Sequence, residues 1–231
     1  MSLSSSSSKS ESVLLSNQTP VEFLTEAGSK LSLSEEAICT AAYYYHKFNS
    51  TMTLTRYDIG LLLMATLNLA SKVQEHSIKL GDVVNVCHRC WHKEERPLEI
   101  GDLYWQLKDS VARYELLLLR ALKFDAQVKL PHSYLLHFLL AMSRWVDERV
   151  WSRSYVTRVA WALLQDSFHS DLCLRYPPVT VATSVLYAAV HCCELVIPCD
   201  PHSKPWWSVF SPRVSQEELK LISARILKLY D

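Results

Sequence analysis

Between Leu61 and Ala70 the chain carries almost no polar side chain; only Thr66 and Asn68 interrupt a run of Leu, Met and Ala. Thr55 and Asp58 stand just ahead of it with capping-box spacing, which predicts a helix running to about Gln74. A helix without a polar face cannot lie on a surface and is normally surrounded by other helices. The stretch Ile59 to Ala70 is too short to span a bilayer and contains Gly60, so it reads as the buried centre of a helical domain. The whole chain has 231 residues, enough for one large domain or two small ones with real cores.

The flanking sequence supplies the surrounding helices. Residues 1–18 form a Ser-rich tail, with Ser4 to Ser8 consecutive, and are expected to be disordered. Pro20 suits the first turn of a helix to about Lys30. Ser32 with Glu35, or Ser34 in competition, starts a second helix through Phe48. After the apolar helix come a short one from Asp82 to about His88, a polar loop from Lys93 to Glu99, and a long one from Asp102 to about Lys123. A second series follows: Pro131 to Val146, Tyr155 to Phe168, Pro178 to Glu194, and a last helix opened by a Ser215–Glu218 capping box and ending near Tyr230. No segment alternates with period 2, and the chain has only 4 glycines. The fold class is therefore all-α.

The two series read as an internal repeat. Thr40-Ala41-Ala42-Tyr43 is followed, 25 residues on, by Ala65-Thr66-Leu67-Asn68-Leu69-Ala70; Arg158-Val159-Ala160-Trp161 is followed, 25 on, by Thr183-Ser184-Val185-Leu186-Tyr187-Ala188. This alignment sets Val190 opposite Lys72. Two units are expected, 19–127 and 128–231.

Charge and cysteine content exclude several functions. Formal net charge is zero, so no general electrostatic grip on nucleic acid is expected. No secretory signal opens the chain. The 7 cysteines lack a disulfide framework and point to a reducing compartment, nucleus or cytoplasm. Cys87-His88-Arg89-Cys90 holds one C-x-x-C without a second pair at zinc-site spacing, so no metal is expected. There is no phosphate loop, nucleophile elbow or metalloprotease motif, so no catalytic residue, cofactor or small-molecule substrate is assigned. Trp206 and Trp207 are expected to contribute at least one core plug beneath the last helix.

The sharpest constellation is Leu69-Ala70-Ser71-Lys72-Val73-Gln74-Glu75, followed about 40 residues later by Glu115-Leu116-Leu117-Leu118-Leu119-Arg120-Ala121-Leu122-Lys123-Phe124-Asp125. A Lys at a helix end is ordinarily dipole complementation, and a Glu before leucines ordinarily an exposed edge. Together and in this order they resemble the signature of the first cyclin box. Glu26-Ala27-Gly28 and Tyr45-His46-Lys47-Phe48 fit the transcription-type members of the cyclin family. Tyr134-Leu135-Leu136-His137, Cys173-Leu174-Arg175 and Lys204-Pro205-Trp206-Trp207 look close to its cyclin Q (cyclin M) branch. The resemblance covers about Thr19 to Asp231.

It implies two tandem five-helix cyclin boxes and a non-enzymatic subunit that binds and activates a cyclin-dependent protein kinase, of the kinase-ten type for that branch, with no membrane and no nucleic acid as partner. It further implies that Lys72 and Glu115 face the kinase C-helix, with Glu75, Leu119 and Phe124 beside them. Lys72→Glu and Glu115→Ala are then expected to reduce kinase activation while melting changes little. Gln74 departs from the second acidic residue that many members carry, and Ala126 from a larger apolar one. The Ser16–Pro20 stretch does not match the substrate-docking patch of cell-cycle members. The alternative is a cyclin-fold transcription scaffold contacting DNA or polymerase; members of that class carry basic surfaces, which the neutral balance here does not suggest.

Overall fold

The computed structural model describes residues 18–52, 57–76, 78–94, 96–198 and 204–230. The Ser-rich tail up to residue 17, Thr55 and the start of the substrate-docking comparison at Ser16 lie outside these. Every regular element among the described residues is helical. The chain divides into two compact units, Met1–Val128 and Lys129–Asp231.

Among the described residues the first unit has five helices: α1 (Pro20–Lys30), α2 (Glu35–Thr51), α3 (Ile59–Val73), α4 (Leu80–His92) and α5 (Asp102–Ala121). Their starts follow side-chain chemistry. Thr19 accepts from the Glu22 N–H while the Glu22 carboxylate accepts from the Thr19 N–H, a complete capping box around Pro20. Of the two competing serines, Ser34 caps α2, and Ser32 takes a left-handed φ of 56° in the turn before it. Asp58 caps α3 by accepting from Leu61. α4 runs further in both directions than its polar flanks suggest. α5 begins with Gly101 as a cap that offers no side chain.

α3 is the axis of this unit. Gly60 and every residue from Leu62 to Ser71 are buried, with α2, α4 and α5 packed around it. Each fully buried Leu here contributes about 1.5–3 kcal/mol relative to exposure, which is the driving force for the arrangement. Gly28 lets α1 lie close on α2: a Cβ there would sit 2.5 Å from Cγ1 of the buried Ile38.

The second unit repeats the plan with more irregular edges. Its longer helices are α6 (His132–Met142), α8 (Val156–Asp166), α10 (Pro178–Cys192) and α11 (Gln216–Leu227); the short α7 (Glu148–Arg153) and α9 (Leu172–Arg175) lie between them. α10 is the axis, buried from Thr180 to Val190, and Leu135, Val156, Leu164 and Ile222 close the core around it. Trp206 and Trp207 open a short 3-10 turn and pack on Tyr187 of α10, at ring distances of 6.2 and 5.5 Å, and Trp206, partly buried, lies against the core that Ile222 and Ile226 of α11 share.

The ends of the two axial helices correct the register of the repeat. Both axes are 15 residues long. Both close with the same pair of turn bonds, His76 N–H to Ser71 and Leu195 N–H to Val190, and both leave through a left-handed glutamate, Glu75 at φ 57° and Glu194 at φ 50°. Lys72 therefore corresponds to His191, not Val190. Sequence similarity slipped by one residue because small residues recur at neighbouring positions in both helices.

Candidate kinase-docking face

The end of α3 and the middle of α5 meet at one polar node in apolar surroundings. Glu115 projects from α5 towards α3. One carboxylate oxygen accepts from Lys72 Nζ at 2.6 Å, and the other accepts from Asn68 Nδ2 at 2.5 Å. Its neighbour Tyr114 reaches the other end of α3, where its hydroxyl accepts from the Asp58 N–H at 2.9 Å. Two adjacent residues of α5 thus fix both ends of the axial helix.

The three members of the node stand at different depths. Asn68 is buried, the Glu115 side chain is 15% exposed, and the Lys72 side chain is 56% exposed. Asn68 is the one amide side chain in the apolar run, and a buried amide without a partner is costly. Glu115 satisfies it. Lys72 sits above in solvent and closes the node from outside. Glu115 therefore holds the buried amide in place, and Glu115→Ala would strip Asn68 of its acceptor, so a loss of stability is expected where the sequence alone predicts little change in melting.

Gln74, which replaces an acidic residue of the family pattern, turns back into the unit. Its amide donates to Thr40 Oγ1 at 3.1 Å, and His76 pairs with Ser34 at 2.8 Å, so the exit of α3 is tied to α2. Glu75 then projects into solvent from its left-handed position. A non-glycine residue held there costs about 1 kcal/mol, and such outliers gather at functional sites.

The end of α5 is built in a similar way. Lys123 and Phe124 are both left-handed, at φ 55° and 60°. The Phe124 N–H donates back to Leu119 at 2.8 Å, and the ring is left 69% exposed. Leu116, one turn before Arg120, is 55% exposed, and Leu119 is half-buried. Beyond the turn, the Ala126 carbonyl accepts from the buried Tyr44 hydroxyl at 2.6 Å, which anchors the segment that presents Phe124.

The structure thus brings Lys72 and Glu115 into direct contact, with Leu119 on the same helix as Glu115 and Phe124 in the turn closing it. Asn68 and Leu116 were not singled out from sequence as site residues. Asn68 was visible as a polar break in an apolar run; Leu116 looked like one more Leu in a row of four.

Cys87 and Cys90 are buried within α4, and burial pushes the Cys87 thiol far above its ordinary range. Among the described residues no group of three or more His, Cys, Asp or Glu is placed to hold a metal ion. No helix among them is long and apolar enough to cross a membrane.

Residues 7–127 match the family described as "Cyclin, N-terminal domain". The chain belongs to the cyclin family. It is 30% identical to Cyclin-L2 of Mus musculus over 213 residues, covering 90% of this chain and 39% of that protein. It is 31% identical to Cyclin pch1 of Schizosaccharomyces pombe over 210 residues, covering 90% of this chain and 59% of that one. The chain therefore spans less than two thirds of the length of these relatives.

Among solved structures it resembles a chain of the yeast RNA Pol II CTD kinase CTDK-1 complex, with a TM-score of 0.70 at 18% identity, covering 98% of this chain and 67% of that one. A chain of the CAK complex of Chaetomium thermophilum bound to ATP-gamma-S gives a TM-score of 0.68 at 18% identity, covering 95% and 64%. At that identity the likeness concerns the cyclin fold.

Proposed function

We propose that this cyclin binds a cyclin-dependent protein kinase through the α3–α5 face of its first unit and switches it on by fixing the kinase C-helix. The observation that carries the reading is the Asn68–Glu115–Lys72 node set beside an exposed apolar rim of Leu116, Leu119 and Phe124. Exposed apolar side chains grouped beside fixed charges suit an interface, and aromatic anchors dominate interface energetics.

The node suits an approaching helix. Lys72 has three donors and uses one on Glu115; the Glu115 carboxylate has further lone pairs beyond the two hydrogen bonds it accepts. Both can reach backbone groups of a docked segment without breaking their own pair, so the charges are held in place before binding. Phe124 supplies the apolar contact at the rim. The chain contributes no catalytic group. Holding the C-helix inward lets its Glu meet the strand Lys that grips ATP, and the active conformation is favoured because it alone makes these contacts. The partner we propose is a kinase of the cyclin-dependent kinase ten type, on the strength of the cyclin Q motifs in the second unit, and the compartment the nucleus, in keeping with a reduced set of thiols and transcription-type relatives.

The test is activation of purified cyclin-dependent kinases, kinase ten among them, by the full chain and by Lys72→Glu and Phe124→Ala. Both variants are expected to lose at least about tenfold in kinase affinity with the fold intact. If both activate as well as the wild type, the face is misassigned. If another cyclin-dependent kinase is activated and kinase ten is not, the face stands and the kinase-ten assignment falls.

A further inference from the structure

The second unit carries a feature at the end of its own axial helix that kinase docking does not use. Glu194 leaves α10 in the left-handed region, where Gly is the residue without a steric penalty. Its carboxylate also stands at the C-terminal end of a helix, beside the negative pole of the backbone dipoles. Among the described residues it has no ion-pair partner. The left-handed backbone therefore disfavours a glutamate here relative to a glycine.

Next to it lies an open groove of about 340 Å³. Val190, Leu195, Ile197 and Trp206 form its apolar lining. Val196 stands on its rim, 83% exposed. Trp206 is held by Tyr187 and Phe210, and His191 packs edge-on against the same Tyr187 at 4.3 Å, so the walls are braced from behind. The groove lies at the lower end of the size range of ligand sites and is large enough for one large side chain. Its polar edge is the Glu194 carboxylate, which stands exposed beside it.

We propose that this groove docks a short segment of another protein that presents a large apolar side chain next to an arginine or lysine. The apolar side chain fills the space between Trp206 and Val196. The cation meets the Glu194 carboxylate at the edge of the groove and gives it the ion-pair partner it lacks among the described residues. His191, in place of the Lys of the first unit, leaves this edge without a fixed positive charge, so the two axial helices present opposite preferences to their partners. The inference does not depend on kinase docking by the first unit.

The probe is a labelled Gly/Ser-framed peptide carrying Trp-Arg, measured by fluorescence anisotropy against the full chain, with Trp-Glu and Ser-Arg peptides for comparison. Trp-Arg is expected to bind at least about tenfold more tightly than either control. Val196→Asp and Glu194→Gly are both expected to reduce Trp-Arg binding about tenfold or more. Glu194→Gly also removes the left-handed strain, so its melting temperature is expected to equal or exceed that of the wild type; a purely structural role for Glu194 would not separate stability from binding in this way. Equal binding of Trp-Glu and Trp-Arg, no binding of any peptide, or unchanged binding by a folded Val196→Asp chain would each overturn the proposal.

Discussion

Replacing Glu115 by Ala separates the structural and docking roles of the α3–α5 node. The buried Asn68 amide then loses its acceptor. A hydrogen bond to a charged group contributes about 1.5–3 kcal/mol, and an unpaired buried amide has no water to turn to. Loss of the Lys72 contact adds little, about 0–1 kcal/mol, because Lys72 is more than half exposed. The expected cost of Glu115→Ala is thus about 2–3 kcal/mol, against about 0–1 kcal/mol for Lys72→Ala. For a chain of this size each kcal/mol moves the melting temperature by about 2–4 °C, so Glu115→Ala is expected to melt about 4–12 °C lower and Lys72→Ala less than about 4 °C lower. Glu115→Gln keeps a carbonyl oxygen for Asn68 and should recover most of the loss while still removing the charge. Calorimetry and urea unfolding on the four proteins measure this directly. If Lys72→Ala melts as low as Glu115→Ala, or Glu115→Gln is no better than Ala, the node is not organised around Asn68. The same series makes Glu115→Gln the cleaner probe of kinase docking.

Other features give further outcomes. Gly28→Ala places a Cβ against Ile38 between α1 and α2 and is expected to cost about 1–3 kcal/mol in urea unfolding; a neutral result would mean the two helices separate freely. His88 is held below the ordinary imidazole value, first by burial and then by His92, with Glu94 pulling the other way. The unfolded chain therefore binds more protons on acidification, and this contribution to stability is complete above about pH 6.5 and is lost as pH falls below it. His88→Gln should flatten that limb of the stability–pH curve. Treatment of the native chain with a thiol reagent near pH 8 should label the exposed Cys192 first and spare the buried Cys87, as peptide mapping by mass spectrometry would show; equal labelling of both in a folded chain would contradict the packing of α4.

Much of the helical plan was legible because it is written in local chemistry. Ser34, Asp58 and Ser215 mark helix starts by accepting from N–H groups within one turn, and Pro20 and Pro178 do so through the fixed φ of proline at the first helical position. α4 has no such marker: Lys79 gives it no side-chain cap, and it is longer than its polar edges imply. α7 and α9 went unseen because so short a helix has no measurable period. The site divides along the same line. Lys72 and Glu115 were found through a family pattern, whereas the partner of Asn68 lies 47 residues away and only tertiary packing reveals it. The register slip between Val190 and His191 has the same origin, since small side chains repeat along both axes and only the closing turns fix the alignment.

The depth at which α3 lies has a consequence for synthesis of the chain. Its apolar surface is covered in part by α2, made before it, and in part by α5, made after it. Glu115 leaves the ribosome 47 residues behind Asn68, a delay of about 2–9 s at ordinary translation rates of about 5–20 residues per second. For that interval Leu61 to Leu69 has emerged with one flank open and its amide unanswered. This segment is where a nascent-chain chaperone has the most to hold, and where a translational pause placed between α3 and α5 would lower the yield of folded protein most.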